Sequence, residues 1–332
     1  MTRSVERTRR MRTAFALLLA CSTTCVGVEA AAQSWPSRPI RLVAPFTPSG
    51  GADVMSRIIA QALSEQLGQQ VVVDNRGGAG GRIAMELVAK SPADGYTLIL
   101  GNVSTFAILP ASGIKLPFDP RRDFAAVSLL GISYAVVVVS PQSAIRTVQE
   151  LIALAKAKPG QLHFGSSGVA AASHLAGELF NAMAGVKIVH VAYKGAPPAL
   201  TDLTGGRIDV MFASPPSALP LVRSSRLRAI ATTGNKRAAY APELPTVSES
   251  GVPGYENTIW QALLAPAATP PALVTRLYEA VAEIAKQPDL RERFAGDGAE
   301  PVGSSPRETA AQIAAEIERH TQLVRSIGLK VE

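Results

Sequence analysis

Ile40-Arg41-Leu42-Val43-Ala44-Pro45-Phe46-Thr47-Pro48-Ser49-Gly50-Gly51-Ala52-Asp53 passes from an apolar run into a turn of proline, glycine and hydroxyl residues. A segment of helical periodicity follows. Over 53–67, Met55, Ile58, Ile59, Ala62, Leu63 and Leu67 recur on one face, and Gly68 stops the helix. A strand feeding a helix through such a turn is the opening unit of a parallel sheet with crossover helices. The glycines let backbone approach a ligand, and the helix start directs unpaired N–H groups and the positive dipole end into the same space. A carboxylate can be held there without Arg or Lys. The same residues also allow a plainer reading, in which Gly50-Gly51 makes the turn and Asp53 caps the helix.

The alternation continues downstream. Val71–Val73 reads as a strand, 75–81 as a glycine-rich loop, Ile83–Ala89 as a helix and Tyr96–Leu100 as a strand. Val127–Ser140 reads as one strand whose centre, Val136–Val139, is buried on both faces. Thr147-Val148-Gln149-Glu150 is a capping box opening a helix that Pro159-Gly160 ends. His163–Gly165, Ile188–Val191, Ile208–Phe212 and Leu227–Thr232 read as further strands separated by short helices, and Ser305-Pro306-Arg307-Glu308 caps a long helix reaching Ser326. The fold class is therefore α/β.

Upstream, Arg3, Arg7, Arg9, Arg10 and Arg12 precede the apolar stretch Thr13–Ala20, the pattern of a secretory signal too short to cross a bilayer. Ala30-Ala31-Ala32 offers cleavage before Gln33, so 1–32 is expected to be removed. Alternatively, Leu18-Leu19-Ala20-Cys21 resembles a lipoprotein signal with a lipid anchor on Cys21. Either route takes the protein out of the cytoplasm. The segment carries five Arg against Glu6 and Glu29, three of the formal +7, leaving +4 for the remainder. That excess is spread without a basic run and with few aromatics, which argues against a nucleic-acid surface. Both cysteines, Cys21 and Cys25, lie in the segment, so its removal excludes disulfides, thiolate catalysis and Cys-metal sites. The remaining length, about 300 residues, exceeds what one core usually organises and implies two domains.

Several chemistries lack their motif. Gly78-Ala79-Gly80 is followed by Gly81-Arg82-Ile83, so the third glycine of a dinucleotide fingerprint is missing, and no phosphate-loop Gly-Lys-Ser/Thr occurs. Gly165-Ser166-Ser167-Gly168 falls one residue short of a nucleophile elbow. His163, His174, His190 and His320 show no metal spacing, so no metal or cofactor is expected. Three strand-to-helix loops remain, dense in Gly and Ser/Thr, where open α/β sheets bind ligands. They are Phe46–Asp53, Gly165–Gly168 followed by Ser173 and His174, and Tyr193-Lys194-Gly195. Ser166 or Ser167 either cradles an anion or caps a helix, and Tyr193 can form a pocket wall with its ring.

From Trp35 to Val331 the chain resembles the tripartite tricarboxylate transporter receptors, the Bug or TctC-like periplasmic solute-binding proteins. The blocks that carry the resemblance are Trp35-Pro36 with Arg38-Pro39-Ile40, Pro45-Phe46 with Gly50 and Asp53, and Val72-Val73-Asp74-Asn75-Arg76 with Gly78-Ala79-Gly80-Gly81. Further blocks are Pro92–Leu98, Ser167-Gly168 with His174–Phe180, Tyr193-Lys194-Gly195 with Asp202-Leu203 and Gly205-Gly206, Leu244–Val247 with Glu249-Ser250-Gly251, and Trp260.

The resemblance implies two α/β lobes of type II periplasmic-binding-protein architecture, 33–134 with 255–332 and 135–254, joined by two crossings and closing on a small carboxylate. It implies a monomeric receptor without enzymatic activity that delivers its ligand to inner-membrane transporter subunits. Mapped here, Phe46, Ser49, Gly50, Gly51, Ala52 and Asp53 form the first clamp, flanked by Asn102 and Ser104. Ser166, Ser167, Gly168, Tyr193 and Ser214 come from the second lobe. Ser49, Gly51-Ala52, Arg82 and Ala192 depart from the family's usual residues. Arg82 either favours a second carboxylate or is solvated at a helix start. Two alternatives stay open at this level, a sensor docking on a membrane signalling protein and an exported hydrolase with Ser166 or Ser167 as nucleophile and His174 as base.

Overall fold

β1 (Ile40–Ala44) is buried along almost its whole length, as a central strand must be. In this computed structural model, which describes residues 35–326, it is followed in order by α1 (Gly51–Leu67), β2 (Val71–Asn75), α2 (Arg82–Ala89) and β3 (Thr97–Asn102). The proposed export segment, with Cys21 and Ala30–Ala32, lies outside the described residues. A π-helical turn, Ser104–Ile108, leads to β4 (Phe124–Tyr134). Next come β5 (Val136–Val139), α3 (Val148–Ala157), β6 (His163–Ser166), α4 (Ala172–Ala184), β7 (Val189–Ala192), α5 (Ala196–Thr204), β8 (Val210–Ala213), α6 (Pro215–Arg223) and β9 (Arg228–Thr232). The chain closes with β10 (Thr258–Pro266), α7 (Pro271–Ile284), α8 (Pro288–Gly296), β11 (Ala299–Pro301) and α9 (Pro306–Ser326).

These strands form two sheets. The first has the order β11-β4-β10-β3-β1-β2, the second β7-β6-β8-β5-β9. β1 is parallel to both β2 and β3, and β6 to both β7 and β8, through the βαβ units legible in the sequence. β10 enters the first sheet antiparallel to β3 and β4, and β5 enters the second antiparallel to β8 and β9. β4, β5, β9 and β10 flank the two crossings, and β11 adds a further antiparallel pairing on β4.

The expected single strand over 127–140 is two strands in two different sheets, interrupted only at Ala135. Both halves are central in their sheets, so both are apolar and no turn residue marks the break. All four valines of β5 are inaccessible to solvent, each contributing about 1.5–3 kcal/mol of apolar burial. The return crossing runs past Tyr255, whose ring packs on Phe180 and Phe212 and whose hydroxyl donates to the Ala176 carbonyl at 2.8 Å.

Helix starts follow local chemistry. Thr147 and Glu150 form the expected capping box at α3, and Ser305 with Glu308 makes the same reciprocal bonds ahead of α9. α1 starts two residues earlier than its periodicity predicts, with Gly50 as an N-cap that makes no side-chain bond. Asp53 is therefore the third helical residue, and its carboxylate accepts the Ser49 N–H at 2.9 Å from inside the first turn. Among the described residues no helix is long and apolar enough to cross a membrane.

Candidate functional site

The loops that follow β1, β3, β6, β7 and β8 meet between the two sheets and enclose a cavity of about 70 Å³. The first sheet contributes Phe46, Thr47, Gly50, Gly51 and Ala52 from the β1–α1 turn, Asn102 and Ser104 from the end of β3, and Ile259 and Gln261 from β10. The second contributes Ser167, Ala172 and Ser173 around the start of α4, Ala196 at the start of α5, and Met211, Phe212 and Ser214 at the end of β8. Among the described residues no charged or titratable side chain lines this cavity.

Four helix N-termini border it, those of α1, α4, α5 and α6, and each sets a positive dipole end toward the same volume. Their donors differ. The first intrahelical bond of α1 runs from Val54 N–H to the Gly50 carbonyl, so the N–H groups of Gly51, Ala52 and Asp53 have no acceptor within the helix. α6 opens with Pro215-Pro216, which carry no N–H, so at that end the donor is the Ser214 hydroxyl. Thr47 Oγ1, Ser214 Oγ and Gln261 Oε1 are buried at the cavity without a hydrogen-bond partner. Buried polar atoms of this kind are normally satisfied, and here they converge with free helix donors on one small volume. The set suits a carboxylate group held by dipoles and hydroxyls.

The lobes are closed. A Cβ added to Gly51 would collide with Ser214 Oγ, and one added to Gly195 would collide with Thr47 Oγ1. Both positions require glycine for close approach between lobes, and Gly195 also has φ +123°. Ser104 Oγ, from the first lobe, accepts the Ala172 N–H at the start of α4 at 2.8 Å.

A second cavity of about 920 Å³ adjoins the first and shares Phe46, Thr47 and Ser167 with it. Pro48, Asn75, Gly77–Gly80, Arg82, Leu109 and Ile114 line one side, and Gly168, Val169 and Ala192–Gly195 the other.

The residues expected from the sequence divide into three groups. Phe46, Gly50, Gly51, Ala52, Asn102, Ser104, Ser167 and Ser214 line the small cavity. Gly168 and Tyr193 line the larger one; the Tyr193 hydroxyl donates to Asp202 at 2.8 Å, which fixes its ring as a wall. Ser49, Asp53 and Ser166 line neither. Asp53 accepts from Ser49 N–H, Arg57 and Asn75 Nδ2, and Asn75 Nδ2 also bonds the Phe46 carbonyl. Burial alone would raise the Asp53 pKa, but the hydrogen bonds from Arg57, Ser49 and Asn75 and the Arg57 charge hold it below its ordinary value. It clasps the turn that carries the cavity wall.

Ser166 is wholly buried, with Oγ bonded to the Gly168 backbone and 2.6 Å from His190 Nε2. His174 stacks on His190 with centroids 3.7 Å apart, and its Nδ1 accepts the Ala170 N–H at 3.2 Å. Burial, and for His174 also His190 beside it, pushes their pKa values down to about 3 for His174 and about 4 for His190. The serine–histidine pairing expected of a hydrolase is thus not formed: the ring on Ser166 is His190, and His174 is engaged by backbone. Ser173 and Thr47, which belong to two of the loops read from the sequence but were not placed among the site residues, line the cavity, and Gln261 is a cavity residue that the sequence reading missed. Gln261 had a usable signal, a lone amide inside the apolar run Ile259–Ala265.

The family model for the tripartite tricarboxylate transporter family receptor, TctC, matches residues 55–329. Protein BugT of Bordetella pertussis is 36% identical over 316 residues, 94% of this chain and 96% of that protein. Among solved structures, Rpa4515 of R. palustris with adipate superposes with a TM-score of 0.87 at 38% identity, covering 89% of this chain and 99% of that one. MatC of Rhodopseudomonas palustris with bound malate gives a TM-score of 0.83 at 30% identity, covering 87% and 100%. Two closed lobes on separate sheets, helix starts converging between them, and agreement over nearly the whole chain lead to one conclusion: this protein belongs to the tripartite tricarboxylate transporter receptor family, of two-lobed periplasmic-binding-protein fold.

Proposed function

We propose that the protein is an extracytoplasmic receptor that closes on a small carboxylate and delivers it to an inner-membrane tripartite carrier. The observation that carries this reading is the small cavity itself, which among the described residues is lined by no charged side chain, is bordered by four helix N-termini and holds two partnerless hydroxyls, those of Thr47 and Ser214. A carboxylate there exchanges water for preorganised dipoles, which binds it without the long-lived ion pair that would slow release. Ligand-driven closure favours the closed state by its differential affinity. Rpa4515 and MatC, bound to adipate and malate, support an acid as the ligand.

The lobes divide at 33–134 with 255–332 and at 135–254, and the periplasmic form begins after 32 or carries a lipid on Cys21. The protein acts as a monomer. The family is one of substrate-binding receptors, not of enzymes.

A thermal-shift screen of the purified protein against mono-, di- and tricarboxylates tests the reading, because a ligand selective for the native state raises the midpoint. A selective shift that Ser214→Ala diminishes supports it. No shift with any acid, together with no small acid released on denaturation, overturns it.

A further inference from the structure

The larger cavity differs in character from the small one. At about 920 Å³ it is at the upper end of small-molecule sites, and Phe46, Pro48, Leu109, Ile114, Val169 and the Tyr193 ring give it a mostly apolar lining. Among the described residues it carries two cations, the half-buried Arg82 from the first lobe and the exposed Lys194 from the second, and no Asp or Glu.

Arg82 is the more telling of the two. It is the first residue of α2, where a cation opposes the helix dipole, and it is partly buried. Among the described residues its guanidinium makes no ion pair or side-chain hydrogen bond, whereas Arg41, Arg57 and Arg76, around the same sheet, are paired; other surface arginines are also unpaired, but Arg82 is the one that lines this cavity. An arginine placed against local electrostatics, unpaired, and lining a cavity of one charge sign suits an anion supplied from outside. Asp202 does not neutralise the site, because it is taken by Tyr193 and Arg207.

The small cavity has room for little beyond one carboxylate group. Anything larger bound there passes the wall shared by Phe46, Thr47 and Ser167 into the larger cavity. Resting on the receptor reading, we propose that the preferred ligand is an elongated acid: one carboxylate in the small cavity, an apolar body against Leu109, Ile114, Val169 and Tyr193, and a second anionic group met by Arg82 and Lys194. Compact polar acids leave the apolar walls uncovered and the arginine unpaired.

Isothermal titration of the purified protein with succinate, sebacate, benzoate and terephthalate tests this, repeated with Arg82→Gln. The expected result is that sebacate or terephthalate binds about tenfold or more tighter than succinate, and that Arg82→Gln narrows the terephthalate-over-benzoate preference about tenfold, the worth of one charge-assisted hydrogen bond. Succinate binding as tightly as the elongated acids overturns the proposal and leaves the receptor reading standing. An unchanged terephthalate-over-benzoate ratio in Arg82→Gln overturns the role of the second anion. Failure of every acid, in wild type and variant alike, together with no small acid released on denaturation, removes the receptor reading itself.

Discussion

The Thr233 hydroxyl donates to the Asn257 carbonyl at 2.7 Å while accepting the Ala135 N–H at 2.8 Å, so one buried side chain ties together the two strands that cross between lobes. Backbone bonds reinforce it, from Thr233 N–H to Ala135 and from Asn257 N–H to Thr233. Thr233→Val keeps the shape but leaves a buried donor and a buried acceptor unpaired. The expected loss is about 2 kcal/mol or more in urea unfolding, with Thr233→Ser close to wild type. Equal stability of the two variants would show that the clasp carries no energy.

Closure depends on the absence of a side chain at Gly51. Alanine is a good residue for the first turn of α1, so Gly51→Ala should leave the unliganded protein folded with an unchanged midpoint. In the closed arrangement its Cβ meets Ser214 Oγ. Overpacking of about 1–3 kcal/mol then falls on the closed state alone, weakening ligand binding by roughly 5- to 100-fold. Gly51→Ala with Ser214→Gly restores space and should recover the part of the loss due to the clash. Titration calorimetry of both variants checks this.

How much of this was legible follows from where each signal lies. The β1–α1 unit was readable because strand, glycine turn and helical stripe are contiguous, and the same holds for the strands of the second sheet. Local patterning did not show the break at Ala135, because β4 and β5 are both apolar and it needs no glycine or proline; the division at 134/135 came from the family resemblance alone. β10 went unread for a related reason: its eight buried residues, Ile259–Pro266, have neither alternation nor a turn signal, and its place between β3 and β4 is fixed only by tertiary pairing. With it went Gln261. Asp53 illustrates the opposite limit, since its prominence in the loop was plain but whether it faces ligand or braces the turn depends on Asn75 and Arg57, set by folding.

Asp53 should therefore matter through the loop it holds. Asp53→Asn removes the charge that pairs with Arg57 while keeping one acceptor oxygen for Ser49 N–H, whereas Asp53→Ala frees Ser49 N–H and Asn75 together. We expect Asp53→Ala to cost about 1–3 kcal/mol of stability and Asp53→Asn less, in chemical denaturation. The sign with pH follows from a depressed folded pKa: the stabilisation is present above the ordinary carboxylate pKa and is lost as pH falls through the folded value. Asp53→Asn should thus converge on wild type in strong acid, whereas Asp53→Ala keeps the deficit due to the acceptors lost to Ser49 N–H and Asn75.

The stacked pair His174 and His190 makes stability fall on mild acidification. Both rings are neutral in the fold, with pKa values pushed down to about 3 and about 4, against about 6.5 in an unfolded chain. Between those limits the unfolded chain takes up protons that the folded one refuses, so the contribution is whole above pH ~6.5 and declines as pH drops toward 4. Each proton corresponds to a slope of about 1.4 kcal/mol per pH unit at most. Glu178, whose Oε1 is 3.8 Å from His174 Nε2 and whose pKa burial raises, acts in the opposite sense, adding stability as pH falls. The comparison is therefore made in a Glu178→Gln background, where His174→Gln should lower the midpoint at pH 7 yet flatten its decline between pH 6.5 and 4.5 by close to one proton. An undiminished slope would mean that His174 takes up its proton as readily in the fold as in the unfolded chain.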